Sequence, residues 1–247
     1  MGRRRAYFLD EWRGLSVLLM LFYHTVYDLV FVFGVNIPIF KGAFAHYLQL
    51  FICGSFIFVA GTSCRFSRGN LKRGLKLLGV AFTINVITII FMPQQRIIFG
   101  ILHFLGCSVI LFEFCKNLLD KLSVSVGVAI MLFLFVLTWN LPNGFIGPTE
   151  KLALNLPKEL YSTRFLFAFG LPSEQFYSSD YFPLLPWIFW FGAGSFVGVL
   201  FVKNKIPDFF YDQHIKSLAW FGRNAIIIYV LHQPIMYGIC AMVLGSS

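Results

Sequence analysis

Seven apolar runs, each long enough to cross a bilayer, divide this sequence from end to end. They cover residues 14–35, 44–64, 74–92, 97–114, 122–139, 182–202 and 218–244. A membrane helix needs about 20 mostly apolar residues, whereas a barrel strand needs only about 9–11. Inside lipid every backbone polar group must be satisfied within the protein, which leaves helices as the one architecture for runs of this length. The expectation is an all-α polytopic transmembrane bundle of about seven spans, forming a single domain over residues 1–247. The last run is long enough to require tilt or a break at Pro234. Composition agrees: 13% of residues are charged, about half the share in soluble domains, and the mean hydropathy is +0.75. The basic stretch Met1-Gly2-Arg3-Arg4-Arg5 precedes a run too long for a cleavable signal and without a small-residue cleavage site, so a retained first span is expected.

The formal charge of +9 would suit a nucleic-acid partner, but the cations sit in short connections between apolar runs. The positive-inside rule explains them with less. Fifteen of the 20 basic residues fall on the side of the N-terminus, and Lys41, Arg96, Lys151, Lys158 and Arg164 fall on the other. The N-terminus is therefore expected in the cytoplasm and the C-terminus outside. The longest connection, 140–181, then lies outside. Its prolines and glycines predict an irregular loop, and its apolar piece 165–171 is expected to dip back onto the bundle. Long ordered loops are often functional. Five cysteines without a CxxC pair read as small buried hydrophobes.

Ionisable residues inside membrane runs are costly and mark functional sites by default. The first run contains His24 and Asp28, four apart and hence on one helix face. Arg13 lies three turns earlier on the same stripe, ~16 Å away at 1.5 Å per residue. Asp28 is placed to orient His24, which could serve as a base near neutral pH. His46 opens the second run, His103 lies in the fourth and His232 in the last. Each has an alternative reading as an interhelical hydrogen bond. No HxxxH or HExxH spacing occurs, and no metal is expected. The connection after the second run carries Arg65, Arg68, Lys72, Arg73 and Lys76 within twelve residues. Such a cluster suits a phosphate-rich ligand, although topology alone would also make it basic. Asp10 and Arg13 could join that pocket or pair with each other. Asp180, ahead of the sixth run, could stabilise the N-terminus of that helix or contact a substrate hydroxyl. Serine-hydrolase, P-loop and dinucleotide motifs are absent from the sequence.

Five segments in order carry a family resemblance. They are Asp10-Glu-Trp-Arg13-Gly14-Leu with Met20-Leu-Phe-Tyr-His24; Phe56-Ile-Phe-Val-Ala-Gly61-Thr-Ser63; Gly100-Ile-Leu-His103-Phe-Leu-Gly106; Asp180-Tyr-Phe-Pro-Leu-Leu-Pro-Trp187; and Gly222-Arg-Asn224 with Tyr229-Val-Leu-His232-Gln233-Pro234. Together they resemble the bacterial branch of the heparan-alpha-glucosaminide N-acetyltransferase catalytic-domain family. The spacing of Arg13 and His24, with Arg65-x-x-Arg68, is also similar to membrane-bound O-acetylases of bacterial surface glycans.

The resemblance implies an enzyme, a transmembrane acyltransferase in a bacterial cell membrane. It would take acetyl from cytosolic acetyl-CoA and hand it to an amine or hydroxyl of a glycan or amino-sugar acceptor on the far side. Carried over by position, Arg13, Arg65 and Arg68, with Lys72 and Arg73 beside them, would hold the CoA end. His24 would be catalytic with Asp28, His46 remaining an alternative base. His103 and His232 would stabilise the oxyanion or position the acceptor, and Asp180, Tyr229 and Gln233 would line the acceptor site. No resident metal and no nucleic acid are implied, and homo-oligomerisation is compatible. From the residues alone, a proton-coupled permease with a buried His/Asp relay remains the alternative. A non-catalytic membrane partner is a third reading.

Overall fold

The computed structural model describes residues 4–245. Arg3, counted above among the N-terminal cations, lies outside them. The described residues form eight α-helices: α1 (Tyr7–Tyr27), α2 (Ala43–Cys64), α3 (Asn70–Phe91), α4 (Ile101–Leu119), α5 (Val124–Thr138), α6 (Leu184–Val202), α7 (Lys216–Arg223) and α8 (Ala225–Leu244). Seven segments are long and apolar enough to cross a membrane: α2, α3, α4, α6 and α8, with α1 continued to Val32 and α5 continued to Asn143. The all-α polytopic architecture is therefore present.

Three of the boundaries that differ from the hydropathy reading have a clear local reason. The first helix begins at Tyr7, not at residue 14, because Asp10, Glu11 and Arg13 on its opening turns are all partnered within the fold. The fourth begins at Ile101, since residues 97–100 are drawn out of helix by bonds to distant groups. Asn85 donates to the Ile97 carbonyl, and the Ile98 N–H donates to Ser178 Oγ at 2.9 Å. The last run breaks at Asn224 and not at Pro234. Asn224 leaves helical geometry at φ −98°, ψ 12°, and its amide donates to the Trp220 carbonyl at 2.9 Å. A short polar side chain that bonds its own backbone competes with helix continuation. Pro234 instead sits inside α8.

The chain divides into two compact units, Met1–Val59 with Asn204–Ser247, and Ala60–Lys203. In the first, α1 crosses α7 at backbone contact through two glycines. A Cβ on Gly14 would fall 1.9 Å from the Leu218 carbonyl oxygen, and one on Gly222 would fall 1.8 Å from that of Asp10. Small residues let membrane helices approach this closely. Val17 and Ala219 are buried in this unit. Beyond Tyr27 the helix widens into a π turn, Asp28–Val32, whose Phe33 N–H donates to the Asp28 carbonyl. Such single turns occur often at functional sites. Val30, Phe40 and Ala45 close a small apolar cluster beside it.

In the second unit, α6 is the central element, with Trp187, Phe191, Ala193 and Phe196 buried along it. Gly61 at the end of α2 repeats the glycine device: a Cβ there would lie 2.0 Å from the Phe191 carbonyl oxygen. Gly74 of α3 and Gly106 of α4 likewise face each other's backbone. The long 140–181 connection is irregular as expected, built from 3-10 turns and a two-residue hairpin pairing Phe145–Ile146 with Leu154–Asn155. It is tied down by hydroxyls. Tyr161 donates to the Leu141 carbonyl and Tyr181 to that of Phe167. Burial raises the pKa of both phenols, keeping them protonated donors. The piece 165–171 is only partly docked: Phe167 stacks on Phe176 and meets Phe99, while Phe165 stays exposed.

Candidate active site

The first unit brings together five of the residues singled out in the sequence. His24 on α1 and His232 on α8 meet ring to ring, centroids 4.7 Å apart. One turn beyond His24, at the start of the π turn that follows α1, both carboxylate oxygens of Asp28 accept from Gln233 Nε2, at 3.1 and 3.2 Å. The Tyr229 ring packs on His232 at 5.4 Å. The helix geometry explains the pairing: His24 and Asp28 share a face, and the adjacent His232 and Gln233 each meet one of them. Asp28 is 1% exposed, and its carboxylate is matched by the amide of Gln233.

His232 Nδ1 lies within hydrogen-bonding distance of the Tyr229 carbonyl. A carbonyl only accepts, so Nδ1 carries the proton and the neutral ring presents Nε2 as an acceptor. That Nε2 is buried and has no hydrogen-bond partner, and neither has Gln233 Oε1. Buried acceptors normally find donors, and exceptions call for an explanation. Two adjacent residues of α8 thus each carry a buried acceptor without a hydrogen-bond partner. His46, by contrast, is exposed at the start of α2, with its ring against Tyr47.

Below this seam, the opening turns of α1 are a charge network. Asp10 accepts from Arg5 at 2.7 Å and from Arg13 at 3.1 Å. The Asp10–Arg13 pairing offered by their spacing is present. Glu11 was not singled out in the sequence. It is buried, and its Oε1 accepts from the His214 and Ile215 N–H groups, at 2.6 and 2.8 Å. Those are free amides just before α7, so the carboxylate caps that helix and opposes its positive end. The signal was available: an acid in a membrane-bound turn with no cation three or four residues on. Glu11→Ala is expected to lower the stability of the folded protein by about 0.5–2 kcal/mol, read as a fall in thermal midpoint in detergent.

In the second unit, Arg65 is locked in place. Its Nε donates to the Ser195 carbonyl at 3.0 Å, its Nη1 pairs with Asp120, and the guanidinium lies 4.9 Å over the Phe112 ring. The side chain is 8% exposed. Arg68 and Lys72 are exposed, and Arg73 is half-buried. The basic cluster thus splits into one structural cation and several that face outward. Asn70, which opens α3, donates to the Cys64 carbonyl at 3.0 Å and to Glu113 at 3.1 Å, fixing the turn that carries these residues.

His103 and Asp180 also belong to the second unit and lie close in structure. Asp180 Oδ2 accepts from the Ile101 N–H at 3.1 Å, so it caps α4 from 79 residues away, not the helix that follows it in sequence. The Phe182 N–H donates to the Phe99 carbonyl at 3.1 Å, lacing the two segments together. His103 sits on the first turn of that capped helix, stacked on Phe99 at 5.8 Å. Replacing Asp180 with Ala is expected to cost about 1 kcal/mol and loosen this end of α4, measurable as faster amide exchange at Ile101 and Leu102. Among the described residues, no group of three or more His, Cys, Asp or Glu side chains is placed to hold a metal ion.

No curated protein and no solved structure matches the chain. The catalytic-domain model of heparan-alpha-glucosaminide N-acetyltransferase matches residues 5–234, nearly the whole length and parts of both compact units, and the protein belongs to that family of transmembrane acetyltransferases.

Proposed function

We propose that the protein transfers an acetyl group from cytosolic acetyl-CoA to the amine, or a hydroxyl, of a sugar on the opposite face of a bacterial cell membrane. The observation that carries this reading is the meeting of His24 and His232, with an unanswered Nε2 on a ring whose tautomer is fixed. The family match over 5–234 supports acetyl transfer as the chemistry, and on this reading 1–247, with the 140–181 loop, works as one catalytic domain. In the proposed step the acceptor nitrogen attacks the thioester carbonyl carbon. The N–C bond forms, the C–S bond breaks, and the CoA sulfur leaves. His232 Nε2 takes the proton released by the amine and returns it to the departing sulfur. His24 lies against that ring at a tilt and is the second imidazole of the pair.

The outward-facing cations Arg68 and Lys72, with Arg73, are suited to the phosphates of CoA, since guanidinium and ammonium groups grip phosphate oxygens through charge-assisted bonds. Arg13 and Arg65 are already paired, to Asp10 and Asp120, and each supports the fold of its own unit. On this reading the N-terminus faces the cytoplasm, with the basic connections. Arg68→Gln together with Lys72→Gln is expected to raise KM for acetyl-CoA by about 10-fold, with kcat little changed.

Reconstituted vesicles test the reading. Radiolabelled acetyl-CoA is supplied on one side and glucosamine is trapped on the other. Label appearing on the trapped sugar supports transmembrane acetylation. Folded protein that neither binds CoA nor moves label in either orientation overturns it.

A further inference from the structure

Asp28 and Gln233 do something the proton-transfer step does not require. Gln233 Nε2 is held by both oxygens of a carboxylate that is itself buried. These two contacts fix which end of the amide faces Asp28. Its Oε1 is thereby aimed away from Asp28, and it is buried without a donor. The neighbouring His232 Nε2 is in the same state. Their side chains meet His24 and Asp28, one turn apart or about 6 Å along the helical axis. The seam therefore offers two acceptors, and a ligand that satisfies it must bring two donors.

Resting on the acetyl-transfer reading, we infer that Gln233, oriented by Asp28, accepts a hydrogen bond from a ring hydroxyl beside the nucleophile, while His232 Nε2 accepts from the nucleophile itself. The pair therefore selects acceptors with an amine and a free neighbouring hydroxyl. An ether, ester or hydrogen at the neighbouring position supplies no proton, and Gln233 Oε1 then stays buried and unpaired. Sites built to bond a substrate hydroxyl discriminate strongly against analogues that lack it, for this reason. Asp28 is a positioning residue here, acting on the sugar through the amide.

The test compares methyl glucosaminide, whose anomeric oxygen is blocked, with its 3-deoxy and 3-O-methyl counterparts as acceptors for labelled acetyl-CoA. The expected result is a fall in kcat/KM of about 10- to 100-fold for both analogues, the size set by one unpaired buried acceptor. In Gln233→Ala, the three acceptors are expected to become equivalent within a few-fold. Asp28→Asn is expected to raise KM for methyl glucosaminide while KM for acetyl-CoA holds, because an Asn at 28 can donate to Oε1 and occupy it. Equal kcat/KM for all three sugars on the wild-type protein overturns the inference and leaves acetyl transfer standing. Retained discrimination in folded Gln233→Ala overturns the role of Gln233. No transfer to any of the three overturns the transfer reading as well.

Discussion

Replacing His232 with Asn is expected to lower the rate of acetyl transfer by about 100- to 10,000-fold, the usual contribution of a positioned general base. The choice of Asn separates chemistry from folding. Its amide nitrogen can take the place of Nδ1 and still donate to the Tyr229 carbonyl, so the local backbone bond survives. What is lost is Nε2, the atom without a partner. His24→Ala is expected to show a deficit of similar order, since it removes the ring packed on His232. Residues that act as a unit are not additive, so the double variant should be little worse than the worse single one. Initial rates with labelled acetyl-CoA, beside thermal midpoints, check this. A folded His232→Asn protein with near wild-type turnover would remove His232 from the reaction.

The largest structural effect is expected at the α1–α7 crossing. Gly222→Val would place a Cβ 1.8 Å from the Asp10 carbonyl oxygen, and Gly14→Val one 1.9 Å from that of Leu218. Neither clash can be relieved by turning a side chain, because the obstacle on each side is backbone. The helices must separate, breaking the Glu11 cap on α7 as they do. Overpacking in a well-packed core typically costs about 1–3 kcal/mol, and a backbone-to-backbone clash belongs at or beyond the upper end. Most of either variant should be lost as aggregate on size exclusion. Gly79 of α3 and Gly238 of α8 are the controls. A Cβ at either meets nothing within 4 Å. Alanine there should leave stability unchanged or raise it slightly, because glycine in a helix costs about 0.5–1 kcal/mol relative to alanine.

The spans were legible because length and apolarity are local properties of the chain. The rest depended on which segments meet, and spacing alone is silent on that. His24 and Asp28 at four residues apart suggested each other as partners, but Asp28 turns to Gln233 and His24 to His232, both on the last helix. Asp180 caps α4 across 79 residues, although its position just ahead of the sixth run pointed to the nearer helix. Arg65 and Arg68 look equivalent as a motif, and burial against α6 separates them into a fixed strut and an outward-facing cation. The break in the last run fell at Asn224 because a self-bonding amide stops a helix more firmly there than Pro234 does within α8.

The crossing at Gly14 and Gly222 also acts as a ruler. Ten residues separate Gly14 from His24 along α1, and ten separate Gly222 from His232 along the α7–α8 arm. The two segments run in the same direction from a common pin, and the imidazoles meet because the two counts agree. Adding or removing one residue in either stretch would shift one ring by about 1.5 Å and swing it by about 100°. An insertion or deletion in either stretch would therefore part the two rings while leaving each helix intact, a defect of register and not of folding.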